Sequence, residues 1–110
     1  MSMVEVPSER NCEITARYRR AGEALDVDGL LATLAPDAVL RSPITNRVAF
    51  RGHEEIRPLL ESVFSTLRET EFFADVGDDH TRALFHRARV GGQPVEEVSR
   101  VELGDDGLIK

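Results

Sequence analysis

Three features of this 110-residue sequence predict an α+β domain whose antiparallel sheet curves around two long helices. Apolar residues first recur with a helical period near 3.6, and after Arg68 the period drops to 2. A Gly91-Gly92 pair then separates two strand-like runs, a strong signal for a two-residue hairpin. Helices segregated from hairpin-linked strands define the class. Such a sheet needs cover on its apolar face, and if it curves strongly around the helices a cavity remains at the wide end.

Each element has its own local cause. Pro7 followed by Ser8 reads as a helix entry with Ser8 as N-cap. Ile14, Tyr18, Ala21 and Leu25 then fall on one narrow stripe of a helix over about 9–25, with Glu13, Arg17, Arg19 and Arg20 off it. Asp26 to Gly29 breaks this helix, and Leu30, Leu31 and Leu34 suggest a short second one. After the Pro36-Asp37 turn, 38–42 reads as a strand stopped by Pro43, and 48–51 as another. Gly52 opens the strongest helix, with Ile56, Leu59, Leu60, Val63, Phe64 and Leu67 on one stripe. Glu54 and Glu55 complement its dipole, and Pro58 is tolerable within the first two turns. From 70 to 76, alternation puts Phe72, Ala74 and Val76 on one side and Glu71, Phe73 and Asp75 on the other. Strands at 82–90 and 93–103 follow. Gly104 to Gly107 is a tight turn, and Leu108-Ile109-Lys110 would begin a last strand that is cut short.

Composition narrows the function classes. Hydrophobic residues are 41% and charged residues 31%, a balance that indicates neither disorder nor a fibrous repeat. Fourteen basic against twenty acidic residues leave a net charge of −6, a poor default for nucleic acid or an anionic membrane. Cys12 is the single cysteine, so neither an intramolecular disulfide nor a cysteine-based zinc cluster is available. His53, beside Glu54 at a helix start, reads as a surface residue, and Asp78-Asp79-His80 as a solvated turn rather than a cation site. Glycine-rich phosphate loops and dinucleotide fingerprints are absent, so no cofactor or metal is expected. With no apolar run near the ~20 residues of a membrane span, and no signal-peptide pattern in the first ten residues, a single cytoplasmic domain over 1–110 is expected.

Ala16-Arg17-Tyr18, Leu34-Ala35-Pro36-Asp37-Ala38-Val39 and Gly52-His53-Glu54-Glu55-Ile56 occur in an order and spacing that resembles a known superfamily. It is the nuclear transport factor 2-like (SnoaL-like, ketosteroid isomerase-like) α+β cone, and the resemblance spans roughly 12–110. It implies a cone whose hollow binds small, largely apolar molecules, in isomerases, cyclases, dehydratases, epoxide hydrolases and domains of unknown role; fold alone does not choose among them. It further implies a tyrosine at Tyr18, but it puts the isomerase base at Ser42 and the second acid at Ser99. A serine hydroxyl without a partner base does not abstract a carbon-bound proton, so steroid isomerisation by that route is not expected.

The hairpin supplies other chemistry. With Gly91-Gly92 as the turn, Ala88 faces Val95, Arg87 faces Glu96, His86 faces Glu97, Phe85 faces Val98 and Leu84 faces Ser99. Leu84, His86, Ala88 and Val90 with Val95, Ser99 and Val101 form the more apolar face, which should line the cavity and carry Glu97 beside His86. His86, Glu97 and Tyr18 are therefore the candidate catalytic residues, with Leu40, Ser42, Ser99 and Phe64 expected to contact a small apolar ligand. On the opposite face, Phe85, Val98 and Phe73 place apolar groups among charges, which points to a homodimer through the outer sheet. A small-molecule isomerase, cyclase or hydrolase and a non-catalytic binding or dimerisation module both stay open.

Overall fold

The computed structural model describes residues 9–41 and 49–110. The elements run α1 (Glu9–Ala24), α2 (Val27–Leu31), β1 (Val39–Arg41), β2 (Ala49–Arg51), α3 (Gly52–Thr66), β3 (Leu67–Gly77), β4 (Thr81–Val90) and β5 (Gln93–Glu102). β1 and β2 form a short antiparallel pair, and β3-β4-β5 a three-stranded antiparallel sheet. This is the predicted α+β architecture. The Ser8 cap, Ser42 and the Pro43 to Val48 segment lie outside the described residues.

α1 stops because Leu25 adopts a left-handed φ of 54°. Leu25 N–H then reaches Gly22 O at 3.2 Å, and Asp26 N–H reaches Ala21 O at 2.8 Å, which satisfies two carbonyls of the last turn. Asp26 at once caps α2, accepting from Gly29 N–H at 3.0 Å. α3 begins where Gly52, at φ 75°, donates to Ala38 O at 2.8 Å; a Cβ there would press on Pro36 O at 3.2 Å. Leu34 lies beyond α2, buried and bridged to Ile109, which also bridges Leu103.

One core joins all layers: Ile14 and Ala21 of α1, Leu30 and Leu31 of α2, Ile56 and Leu60 of α3, and Leu84 and Val101 of the sheet. α1 lies on β3, while α3 packs against α2 and β2. The stripe of α3 is buried at Ile56 and Leu60 only, and Val63 is 39% exposed. A 15-residue helix is about 22 Å long, whereas its neighbours have five and three residues and reach only its first half.

β4 and β5 pair in the predicted register throughout, from Val90 with Gln93 to Thr81 with Glu102. Gly91 and Gly92 have φ of 56° and 80°, the doubly left-handed geometry of a type I′ turn. β3 departs from simple alternation. Register shifts between Arg68 and Glu71 and between Phe72 and Ala74 each insert an extra residue, the first near Glu69 at φ 55°. The second reverses the faces beyond it: Phe72 opposes His86, but Asp75 opposes buried Leu84, and Val76 is 54% exposed.

Asp75 is thus turned inward, contrary to the alternation, and the reason lies on its neighbours. Arg82 shares the inner face with Leu84 and its side chain is only 6% exposed. Its Nε donates to Asp75 Oδ1 at 2.8 Å and its second terminal nitrogen lies 2.7 Å from the same oxygen. Arg19 of α1 meets Asp75 Oδ2 at 3.2 Å. Removing one partner of a buried ion pair strands the other charge and costs about 3–5 kcal/mol. Asp75→Ala should therefore lower the stability measured by urea unfolding by about 3 kcal/mol. A loss below about 0.5 kcal/mol, the size of an ordinary surface substitution, would contradict the inward placement.

Candidate functional site

The candidate site is a row of side chains between α1 and the inner sheet face. The period of α1 directs Tyr18 toward β3, where its ring meets Phe72 edge-on at 6.2 Å between centroids. Phe72 in turn lies 4.9 Å from the His86 ring. The hairpin register brings Ser99 to the same face, and the Tyr18 hydroxyl hydrogen-bonds with its side chain. A second anchor holds α1 here: Glu23 accepts from the Phe72 N–H at 2.8 Å, and Gly22 leaves room for the Phe72 ring.

His86 is 13% exposed at its side chain, and its Nδ1 is buried with no hydrogen-bond partner among the described residues. Its Nε2 lies 3.7 Å from Glu97 Oε2, an electrostatic neighbour rather than a hydrogen bond. Glu97 itself is 62% exposed. Burial pushes the His86 pKa below the ordinary imidazole value, and the Glu97 charge opposes that shift without cancelling it. The imidazole is therefore neutral near pH 7 and keeps a free ring nitrogen facing the interior. Burial raises the Tyr18 pKa, with the Ser99 hydrogen bond opposing, so the phenol stays protonated and able to donate.

The structure thus joins three residues singled out from the sequence, Tyr18, Ser99 and His86, and leaves Glu97 exposed beside the row, 3.7 Å from His86 and also lining a depression with Phe73 and Phe85. Leu40 and Phe64 are half-buried against the core, with no ring contact between Phe64 and Tyr18 or Phe72. Ser42 lies outside the described residues. Phe72 joins the row as the ring between Tyr18 and His86; its place opposite His86 follows from the β3 bulges, which leave no mark in the alternation. Thr70, with a buried hydroxyl lacking a partner, was not singled out either.

One residue expected at the surface is not there. His53 is half-buried rather than at the surface, its Nε2 3.1 Å from Leu34 O, because the start of α3 is tied down on the α2 exit. Cys12 is exposed. Asp78 Oδ1 accepts from the His80 and Thr81 N–H groups at 2.8 and 2.9 Å, which lowers its pKa and makes the turn self-capped. No group of three metal-ligating side chains occurs among the described residues. No helix there is long and apolar enough to cross a membrane.

The model of the SnoaL-like domain matches residues 15–110. The chain belongs to the SnoaL-like family. Solved structures share its fold. A steroid delta-isomerase from Pseudomonas aeruginosa is 23% identical with a TM-score of 0.80, the match covering 96% of this chain and 77% of that one. An NTF-2 like protein of unknown function from Burkholderia xenovorans LB400 is 19% identical with a TM-score of 0.82, over 92% and 77%. A putative polyketide cyclase from Sinorhizobium meliloti is 22% identical with a TM-score of 0.70, over 88% of each chain. Curated protein sequences give no match.

The depressed His86 pKa has a checkable consequence. The unfolded chain binds a proton at higher pH than the native state does, so stability attributable to His86 is full above the ordinary imidazole pKa and is lost as pH falls through the native one. In an NMR titration the His86 ring should titrate below an exposed histidine, and Glu97→Gln should move it lower still by removing the opposing charge. A His86 that titrates as a free imidazole and ignores Glu97→Gln would contradict this geometry.

Proposed function

We propose that this SnoaL-like domain binds a small, largely apolar molecule carrying an oxygen function against the inner-face row of Tyr18, Phe72 and His86, and acts on it by acid/base chemistry of the isomerase, cyclase or hydrolase kind. The observation that carries the reading is the free, buried Nδ1 of a neutral His86 beside an aromatic wall. A neutral imidazole near physiological pH is a competent general base. Tyr18, held protonated and paired with Ser99, donates to an oxygen on which negative charge develops. Glu97 stabilises the imidazolium electrostatically once the proton is taken, at a distance that a small rotation would shorten. The steroid delta-isomerase and putative polyketide cyclase among the structural neighbours support this chemistry as a class. A serine at Ser99, partnering Tyr18, supports a route other than a second carboxylic acid.

The alternative is a non-catalytic binding module, favoured by the exposure of Glu97 and its failure to hydrogen-bond His86. One probe separates the two: 2-tetralone, an apolar ketone with exchangeable α-protons. The enzyme reading expects catalysed α-proton exchange in D2O, reduced about 100-fold in His86→Ala. Saturable amide shifts at Ser99 and His86 without exchange favour the module. Neither exchange nor shifts overturns both.

We also propose that the domain forms a homodimer through the outer sheet face. Phe73 and Val98 are 43% and 54% exposed there, and the Phe73 and Phe85 rings meet at a tilt of 45° with centroids 6.2 Å apart and Arg87 4.2 Å from the Phe73 ring centroid. Phe73, Phe85 and Val98 with Glu96 and Glu97 line an open depression of about 220 Å³. Arg87 beside Glu96 and Glu97 gives this patch both signs of charge, so a two-fold related copy can match opposite charges. Val98→Glu, at an exposed site, should shift the sedimenting species to monomer, as should Phe85→Glu. An unchanged dimer mass in both would count against this face.

A further inference from the structure

A second concavity, of about 440 Å³, lies where α1 meets α2 and is separate from the row described above. Its floor is Ala21, Ala24, Gly29, Ala32 and Thr33, and its rim carries Arg17, Arg20 and Asp26. The floor is shallow in side chain for local reasons. Gly29 must remain small because a Cβ there would run into the Asp26 carboxylate that caps α2, and Thr33 turns its hydroxyl onto Leu30 O at 2.6 Å.

The charges on its rim are not matched. Arg17 and Arg20 stand three residues apart on one helical face, are both exposed, and have no ion-pair partner among the described residues. Acidic residues are close in sequence but form no ion pair with them among the described residues: Glu13, four residues before Arg17, is exposed, and Asp26 stands on the rim itself. Glu23, three residues after Arg20, is held by the Phe72 N–H, and Asp26 by the Gly29 N–H. Of the three arginines in this stretch only Arg19 is neutralised, by Asp75. A chain with a net charge of −6 thus keeps two adjacent cations beside a cleft of small apolar residues.

We propose that this cleft binds a small organic anion: a carboxylate held between Arg17 and Arg20, with a flat apolar body lying on the Ala21, Ala24 and Ala32 floor. Guanidinium groups take carboxylate oxygens through paired, charge-assisted hydrogen bonds, and the open depression of about 440 Å³ has room for a single-ring body. The inference does not depend on the chemistry at His86.

Benzoate is the probe, titrated into the intact chain at constant ionic strength set with chloride and followed by amide NMR. Saturable shifts are expected at Gly29, Ala32 and Thr33 and at the Arg17 and Arg20 side chains. Affinity should fall at least about tenfold in the Arg17→Gln/Arg20→Gln double variant, the loss of one charge-assisted interaction. Benzyl alcohol, which has the same body without the charge, should give no saturable shift. Absence of saturation with benzoate, equal binding by the double variant, or equal binding of benzyl alcohol to the unaltered protein would each overturn the proposal.

Discussion

The turn at Gly91-Gly92 is the constraint on which the inner face depends. Two consecutive left-handed residues are cheap only for glycine, and this geometry matches the twist of the paired strands. Because side chains alternate with a period of two, a slip of one residue would turn one whole strand inside out. The turn therefore decides at one point that Leu84, His86, Ala88, Ser99 and Val101 share a face. Pro94 agrees with this register. It opposes Arg89, one step from the Val90–Gln93 pair, on the outermost strand of the three-stranded sheet, where a missing N–H removes no ladder bond.

A second constraint acts on β3. Its two bulges carry the chain across the sheet without a uniform alternation, and the second re-aims Asp75 toward Arg82 and Arg19. The same irregularity puts Phe72 against His86 and Phe73 against Phe85 on opposite faces of one strand. The two extra residues in β3 together serve three packing requirements: an aromatic wall inside, an aromatic patch outside, and a carboxylate for a buried guanidinium.

The extents of α1 and α3, the start of α3 at Gly52 and the β4–β5 register were legible because each has a local cause: a stripe, a left-handed glycine, a two-glycine turn; α2 was not, since the Asp26 cap starts it at Val27, inside the segment that reads as a break, and it ends before Leu34. The facing of His86 and Ser99 toward Tyr18, with exposed Glu97 beside His86, followed from that register and the α1 stripe. The bulges were not legible, since Phe72-Phe73-Ala74-Asp75 reads as acceptable alternation in either phase. Arg82 held the missing signal. It has the same parity as Leu84, so an inward guanidinium required an inward carboxylate, and Asp75 is the one across the strand pair. The α1–α2 cleft was also illegible, because the small residues that floor it are helix-compatible and only the packing of the two helices shows the depression between them.

The most direct test of the account is the set of inter-strand Hα–Hα nuclear Overhauser effects between β4 and β5. In antiparallel pairs these are strongest at the closely spaced, non-hydrogen-bonded positions. The account predicts strong effects for Phe85 with Val98 and for Arg87 with Glu96. Strong effects for Phe85 with Glu97 and Arg87 with Val95 instead would mean a register slipped by one, which would set His86 and Ser99 on different faces and leave the inner site without its members.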